Sequence, residues 1–118
     1  MLFRSFGHKT SACDVVYIVL EGQSGIQNRI RAWMKGRNST LPDAFCLVLD
    51  SVRLNNTDDV RRLAECIPQG AVVFIDTLNR AVPGADENSS KDMGEIIEGA
   101  ATLAQMTDGL VEIGRAHV

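Results

Sequence analysis

Long apolar runs are missing from this sequence of 118 residues. A membrane-spanning helix needs about 20 consecutive apolar residues, and no stretch approaches that length. The amino end also lacks the pattern of a signal peptide. Hydrophobic residues make up 45% of the chain and charged residues 23%, which is ordinary for a soluble globular protein. The sequence therefore predicts one cytoplasmic domain without membrane contact.

Cysteine is scarce and its spacing excludes a metal cluster. Cys13, Cys46 and Cys66 are far apart, odd in number and form no CxxC pair, so we expect reduced, packed thiols rather than a zinc site. Excess positive charge is also missing, because the net charge is −3. That value argues against a broad nucleic-acid surface, although a local loop or a ring channel could still contact DNA.

A phosphate-binding loop of the form GxxxxGK[ST] does not occur in the 118 residues. Only Gly7-His8-Lys9 brings a glycine close to a following lysine, and it has the wrong spacing and no strand before it. Backbone amides and a lysine normally hold the phosphates. We therefore expect this chain on its own to bind nucleotides poorly.

Both ends of the sequence suggest an origin outside the gene. Residues 1–5 can be back-translated to GTG-CTC-TTC-CGA-TCT, and residues 112–118 to GAG-ATC-GGA-AGA-GCA-CAC-GTC. Both strings resemble widely used short-read sequencing adaptors. We expect residues 1–5 and 112–118 to be adaptor-derived tails around a partial domain at 6–111. The alternative is two ordinary polar tails, and the genomic DNA on either side distinguishes the two.

Short apolar runs alternate with helical patterns along the rest of the chain. β-Branched and aromatic runs predict strands that are covered on both faces. Apolar residues spaced three and four apart predict the helices between them. The predicted strands are 14–20, 45–49, 71–75 and one that begins at 109–111.

The helix ends carry their own signals. Ser24 to Gln27 has the pattern of a capping box, with Gly36 as a stop, and Thr57 is the expected cap of the second helix. The buried stripe of that helix is predicted as Val60, Leu63, Ala64 and Ile67. Ser89 or Ser90 is expected to cap the last helix, with Gly99 close to the sheet. The predicted inner face of the last helix is Met93, Ile96, Ile97, Ala100, Ala101 and Ala104.

Strands that alternate with helices predict the α/β class. Right-handed crossovers then give a mainly parallel sheet with helices on both faces. Ligands of such sheets bind at the carboxyl ends of the strands, and Glu21, Asp50 and Asp76 all fall at those ends. A ligand site at that edge is therefore predicted.

Asp76 ends the run Val72-Val73-Phe74-Ile75, which is a Walker B type of pattern. A carboxylate in this position can hold the water shell of Mg²⁺, which bridges phosphate oxygens. Many α/β domains also end a strand in Asp merely to cap the following turn, and a strand-end Glu such as Glu21 is often a turn residue. The residue types alone leave both readings open.

Two segments resemble a known family: VVYIVLEGQSGIQNRIRAW (Val15–Trp33) and VVFIDTLNRAVPGADENSSKDMG (Val72–Gly94). Both are similar to the RecA-type core of RepA-like AAA-type ATPases, the hexameric ring helicases of plasmid and phage replication. The resemblance covers about Phe6 to Val111. It implies a partial RecA-like P-loop NTPase core and a parent protein that uses ATP and Mg²⁺, acts on single-stranded DNA and assembles as a homo-hexamer.

The resemblance also implies roles for individual residues. Glu21 matches the glutamate that polarises the attacking water, and Asp76 matches the Walker B aspartate that acts on Mg²⁺ through water. Thr77 and Arg80 follow in the same segment. Asp86, Glu87 and Asn88 match a signature loop near the active site whose role stays open. Arg29 and Arg31 match a basic helix, for which a solvated face is the simpler explanation.

The family's phosphate-binding loop, sensor motif, arginine finger and DNA loops have no counterpart here. We therefore expect negligible ATPase activity from the chain alone. The strand of the phosphate-binding loop normally lies centrally in the sheet, so its absence predicts an unpaired strand edge and self-association. Two alternatives remain: a fragment of another RecA-class ATPase, either recombinase-like or regulatory, and a non-catalytic α/β interaction module.

Overall fold

Six strands and three helices make up the part of the chain that the computed structural model describes, residues 3–76 and 90–114. In chain order they are β1 (Phe3–Ser5), β2 (His8–Thr10), β3 (Val15–Val19), α1 (Gln23–Arg37), β4 (Phe45–Val48), α2 (Thr57–Cys66), β5 (Val72–Asp76), α3 (Ser90–Thr107) and β6 (Leu110–Gly114). None of the helices within these ranges is both long and apolar enough to cross a membrane.

The predicted parallel sheet is confirmed. Its strand order is β4-β3-β5-β6, and every neighbouring pair is parallel. The register sets Tyr17 beside Leu47 on one side and beside Phe74 on the other. This is the α/β architecture of a partial RecA-like P-loop NTPase core.

A small antiparallel hairpin precedes the sheet. β1 and β2 pair with Ser5 opposite His8, so Phe6 and Gly7 form a two-residue turn. Both have positive φ, 50° and 80°, the combination found in type I′ hairpin turns. Residues 3–5 thus lie in β1, and β6 continues as far as Gly114. The adaptor origin of the two ends stays a prediction.

Helices α2 and α3 cover one face of the sheet. Their apolar side chains close over Val16, Ile18, Val73 and Ile75, and each of these four strand residues is at most 2% exposed. The predicted stripe of α2 is confirmed, since Val60, Leu63, Ala64 and Ile67 are all buried. This face of the sheet holds the core.

Helix α1 lies on the opposite face. Right-handed crossovers put it there, because the chain moves from β3 to β4 in the direction opposite to its later steps from β4 to β5 and from β5 to β6. None of the residues of α1 is buried. Ile26, Ile30 and Met34 are only half-buried and lie outside the core cluster.

The predicted start and stop of α1 are wrong. The helix begins at Gln23, after Gly22 in the left-handed region (φ 70°), and no side chain caps it. Glycine tolerates that conformation, so the chain turns out of β3 before Ser24 is reached. The helix runs past Gly36 to an Asn38 cap with φ 48°, a conformation that asparagine also adopts readily.

Two further predictions about helices need correction. Asn56, not Thr57, caps α2, and its side chain accepts a hydrogen bond from the Asp59 amide. The inner face of α3 is rotated from the predicted one. Ile97 and Ala101 are exposed, whereas Ile96, Gly99, Leu103 and Thr107 are buried. Successive residues of a helix are separated by about 100° around its axis, so an error of one residue in the predicted inner face exchanges a core position for a solvent position.

Gly99 makes a close approach, but not to the sheet. A Cβ atom at this position would collide with the backbone carbonyl of Leu54, in the segment that leads into α2. The three cysteines also depart from prediction. Cys13, Cys46 and Cys66 are free but exposed rather than packed.

Asp59 holds the segment before α2 in place. Its carboxylate accepts hydrogen bonds from the Arg53 amide at 3.0 Å, from Arg53 Nε at 3.2 Å and from Arg62 at 2.8 Å. The Asp59 side chain is only 10% exposed. The hydrogen bonds from Arg53, followed by the one from Arg62, lower the pKa of Asp59 below its usual value despite the opposing effect of burial.

Replacement of this carboxylate is therefore expected to weaken the fold in a pH-dependent way. Asp59→Asn should lower the free energy of unfolding at pH 7 by about 0.5–1 kcal/mol, because both guanidiniums stay largely in solvent. Because the pKa of Asp59 is lower in the folded state than in the unfolded state, its ionised carboxylate stabilises the fold above about pH 4. This stabilisation is lost as the pH falls below that value. The difference from wild type should shrink in urea melts at pH 3.

Asp58→Asn is the matched control. Asp58 also lies in the first turn of α2, but its side chain is 80% exposed and its contact with Arg61 is 3.7 Å. Its substitution should change stability little at either pH. Equal losses in the two variants would show that general helix-end electrostatics explains the effect, and not the Arg53 contact.

Candidate active site

The candidate site lies at the topological switch point of the sheet, between β3 and β5. From β3 the chain first adds β4 on one side and later β5 on the other. The helices that come after β3 and β5 in the chain, α1 and α3, lie on opposite faces of the sheet, so the carboxyl ends of these two strands are the position at which parallel α/β sheets form a crevice. Parallel α/β sheets bind their ligands in such crevices.

Glu21 and Asp76 border this crevice. Val19 is beside Asp76 in the register of β3 and β5, and the Leu20 amide donates a 2.7 Å hydrogen bond to the Asp76 backbone carbonyl. Glu21 follows directly. The two acidic residues thus lie at the same edge of the sheet, Asp76 as the last residue of β5 and Glu21 two residues after the end of β3.

Asp76 is half-buried, and Tyr17 fixes one of its oxygens. The Tyr17 hydroxyl donates a 2.9 Å hydrogen bond to Asp76 Oδ2, because positions 17 and 76 lie on the same face of neighbouring strands. Burial, and then the bond to Asp76, raise the pKa of Tyr17 above its usual value. At neutral pH the hydroxyl therefore stays a proton donor, with Oδ1 of Asp76 on the other side of the carboxylate.

Phe74 supports the tyrosine. The Tyr17 and Phe74 rings lie side by side on the α1 face of the sheet, with their centroids 6.2 Å apart and tilted by 32°. Aromatic pairs in this range stabilise each other. Contact with Phe74 thus helps to hold the Tyr17 ring in the orientation that brings its hydroxyl to Asp76.

Glu21 is exposed and stands before the glycine turn that starts α1. Gln23, in the first turn of α1, connects this turn to the sheet. Its side-chain amide donates to the Val19 carbonyl at 3.0 Å and also to the Leu49 carbonyl. These two bonds tie the start of α1 to the carboxyl ends of both β3 and β4.

Asp50 also follows the carboxyl end of its strand, as predicted. It lies after β4, on the far side of β3 from β5, and it is exposed. The strand order therefore separates Asp50 from the crevice that Glu21 and Asp76 share.

Five predicted site residues fall on a part of the chain that the structure does not describe. Thr77, Arg80, Asp86, Glu87 and Asn88 lie between the two described ranges, so their predicted roles stay predictions. Arg29 and Arg31 lie on α1 and are exposed. The positive charge of Arg29 is close enough to Tyr17 to oppose in part the rise that burial and the bond to Asp76 cause in the pKa of the Tyr17 hydroxyl.

The donor set suits magnesium held through water. In the described ranges no group of three or more His, Cys, Asp or Glu side chains could hold a metal ion by itself. Mg²⁺ typically keeps several waters and uses one or two carboxylates together with substrate phosphates. One half-buried carboxylate with a fixed orientation fits that requirement, and Asp76 is the residue that would meet it.

Sequence reasoning missed Tyr17 and Gln23. A hydroxyl two residues before the end of a strand can reach a carboxylate on the next strand, but only once those strands are known to be neighbours. The position of Gln23, two residues after Glu21, gives only a weak indication that its side chain bonds the strand ends. A polar side chain in the first turn of a helix can bond the carbonyls of the strands beside it.

Comparison with known proteins adds a family assignment to this geometry. A family model described as an AAA domain matches residues 3–117, which is nearly the whole chain. No curated protein and no solved structure matches it.

Proposed function

The chain belongs to the AAA domain family, and from this premise we propose that it is part of an ATP-hydrolysing, RecA-like replicative DNA helicase. The parent protein would couple ATP hydrolysis between the subunits of a homo-hexameric ring to movement along single-stranded DNA. One observation carries the proposal: Asp76 ends β5 and Glu21 closely follows the adjacent strand β3, at the edge where a parallel sheet binds ligands.

Each residue has a distinct part in this proposal. Asp76 would hold Mg²⁺ through its water shell, with Tyr17 fixing the carboxylate so that one oxygen stays available. Glu21 would orient the water that attacks the terminal phosphate, a role that suits a carboxylate in contact with solvent. Bound Mg²⁺ would neutralise charge on the phosphates.

The phosphates themselves need a cradle, which we propose lies upstream in the gene. The 118 residues contain no GxxxxGK[ST] motif, and carboxylates do not attract a polyanion. The 118-residue chain should therefore show negligible ATPase activity. A protein extended upstream of Phe6 to include that loop should bind and hydrolyse Mg²⁺-ATP.

The test is a fluorescence titration of this longer protein with a labelled ATP analogue. Asp76→Asn should weaken binding about tenfold or more in Mg²⁺ and much less in EDTA, because the loss acts through the metal. Asp50→Asn is the matched control, an exposed aspartate at the end of β4, and should bind as wild type does.

The alternatives give different results. A non-catalytic interaction module predicts no Mg²⁺-dependent nucleotide binding in any variant. Another RecA-class ATPase predicts the same binding as a helicase, but its gene would continue without DNA-loop or primase segments. The downstream genomic sequence therefore decides between the two ATPase classes.

A further inference from the structure

The turn between β3 and α1 is short and carries Glu21 at its centre. Residues 20–22 alone separate Val19, the last residue of β3, from Gln23, the first residue of α1. Gly22 has φ 70°, a conformation that glycine adopts without steric cost. Apart from the chain neighbours of Gly22, the described residues place no atom within 4 Å of a Cβ built there. Packing around Gly22 therefore does little to hold the turn, and its hydrogen bonds matter more.

Gln23 closes this turn with its side chain. The Nε2 atom of Gln23 donates a 3.0 Å hydrogen bond to the Val19 carbonyl. Residues 19–23 thus form a loop that a side-chain bond closes, and Glu21 is its middle residue. The path of the backbone through Glu21 is set by how this loop is closed.

The same amide group also reaches the neighbouring strand. Gln23 Nε2 donates to the Leu49 carbonyl, just beyond the end of β4. The last pair in the register of β3 and β4 is Ile18 with Val48, so Gln23 joins the two chain segments one residue past that pair. A glutamine amide has two N–H donors, which is the number that two carbonyls require.

On its other side the turn is joined to β5. The Leu20 amide donates to the Asp76 carbonyl at 2.7 Å, and the Ile26 amide donates to the Gly22 carbonyl at 3.1 Å as α1 begins. Glu21 thus lies between a bond to β5 and the bonds of Gln23. Without the Gln23 bonds, the helical side of the turn would lose its link to the ends of β3 and β4.

We propose that Gln23 is a positioning residue for Glu21. It acts through the backbone of the turn and does not itself contact nucleotide or metal. The inference rests on the proposed function, in which Glu21 orients the attacking water. A misplacement of about 1 Å in an active site can cost about 100-fold in rate. The Gln23 bonds should therefore matter for turnover much more than for nucleotide binding.

Gln23→Met, in the protein extended upstream to include a phosphate-binding loop, tests this role. Methionine has a similar length and no N–H donor. The kcat for ATP hydrolysis should fall about 10–100-fold. The KM and the affinity for Mg²⁺-ATP should stay within about twofold of wild type, because uniform binding is untouched. Gln27→Met is the matched control, a half-buried glutamine one turn further along α1, and should keep the wild-type kcat.

A double-mutant cycle separates positioning from a general loss of structure. In a Glu21→Gln background, Gln23→Met should lower kcat by less than about twofold more, because residues that act as a unit are not additive. A full additional loss in that background would show that Gln23 acts independently of Glu21, and would overturn the proposal.

Amide hydrogen exchange of the 118-residue chain tests the turn without nucleotide. Gln23→Met should speed exchange of the Leu20 and Ile26 amides about fivefold or more, because the turn opens locally. The Val60 amide, which donates to the Asn56 carbonyl at the start of α2, should keep its wild-type rate and so show that the variant is folded. Unchanged exchange at Leu20 and Ile26 would contradict the proposed link.

The outcomes distinguish this inference from the proposed function. A wild-type extended protein that does not hydrolyse ATP refutes the proposed function, and the role of Gln23 in turnover with it. An active wild type whose Gln23→Met variant keeps full kcat leaves the proposed function standing and refutes the role of Gln23. Equal losses of kcat and nucleotide affinity would make Gln23 a general support of the site, which also refutes that role.

Discussion

Glu21→Gln is expected to lower kcat for ATP hydrolysis about 10²–10³-fold in the protein extended upstream to include a phosphate-binding loop. Glutamine keeps the size of the side chain but does not accept a proton from water. Binding of Mg²⁺-ATP should change little, because Glu21 is exposed beside the crevice and the residue proposed to act on Mg²⁺ is Asp76. The measurement is steady-state phosphate release together with a nucleotide titration.

Glu65→Gln is the control for this experiment. Glu65 is an exposed glutamate on α2, far from the crevice, so its isosteric substitution should leave kcat unchanged. Wild-type turnover in the Glu21→Gln protein would remove Glu21 from the mechanism. An equal loss of nucleotide affinity would instead make it a binding residue.

Gly99→Ala is expected to destabilise the fold by about 1–3 kcal/mol, the usual cost of overpacking a core. The added methyl group would collide with the Leu54 carbonyl. That carbonyl is backbone and cannot rotate away, and Leu54 is itself 2% exposed. For a domain of this size the melting temperature should fall by roughly 4–8 °C for each kcal/mol.

Gly94→Ala, in the same helix, provides the matched control. Nothing lies within 4 Å of a Cβ atom at this exposed position. The substitution should therefore stabilise the protein by about 0.5–1 kcal/mol through helix propensity. Thermal melts of the two variants should thus shift in opposite directions. A Gly99→Ala protein as stable as Gly94→Ala would show that α3 does not pack against Leu54.

Local patterns were sufficient to predict the secondary structure of the core. The apolar run before Glu21 and the one before Asp76 each form a strand, and the stripe Val60, Leu63, Ala64 and Ile67 is buried in α2. Such patterns reflect burial directly. The inner face of α3 was harder to predict, because alanines and Ile97 give apolar residues on nearly every side of that helix.

Helix ends depended on backbone conformation that the residue types only suggest. A serine that matches a capping box does not cap α1, because Gly22 has already turned the chain. Asn56 and Thr57 are both good caps, and the hydrogen bond to the Asp59 amide decides between them. In each case the backbone conformation of the preceding strand or loop determines which residue starts or caps the helix.

The sequence alone predicted the acidic residues of the candidate site but not which of them lie together. Glu21, Asp50 and Asp76 all end strands, but nothing in their spacing says which strands are neighbours. The order β4-β3-β5-β6 places Glu21 and Asp76 together and leaves Asp50 outside. The bond from Tyr17 to Asp76 depends on the same long-range pairing, and so does the support from Phe74.

The shared site proposed for Glu21 and Asp76 is tested most directly by a paramagnetic NMR experiment on the longer protein with a Mn²⁺-loaded, non-hydrolysable ATP analogue. Amide signals of residues 20–22 and 75–76 should broaden together and recover in Asp76→Asn. Signals of α3 near Glu95 and Glu98 should stay sharp. Broadening of the residue 20–22 signals without the residue 75–76 signals, or broadening that Asp76→Asn leaves unchanged, would contradict a shared metal–nucleotide centre at these two strand ends.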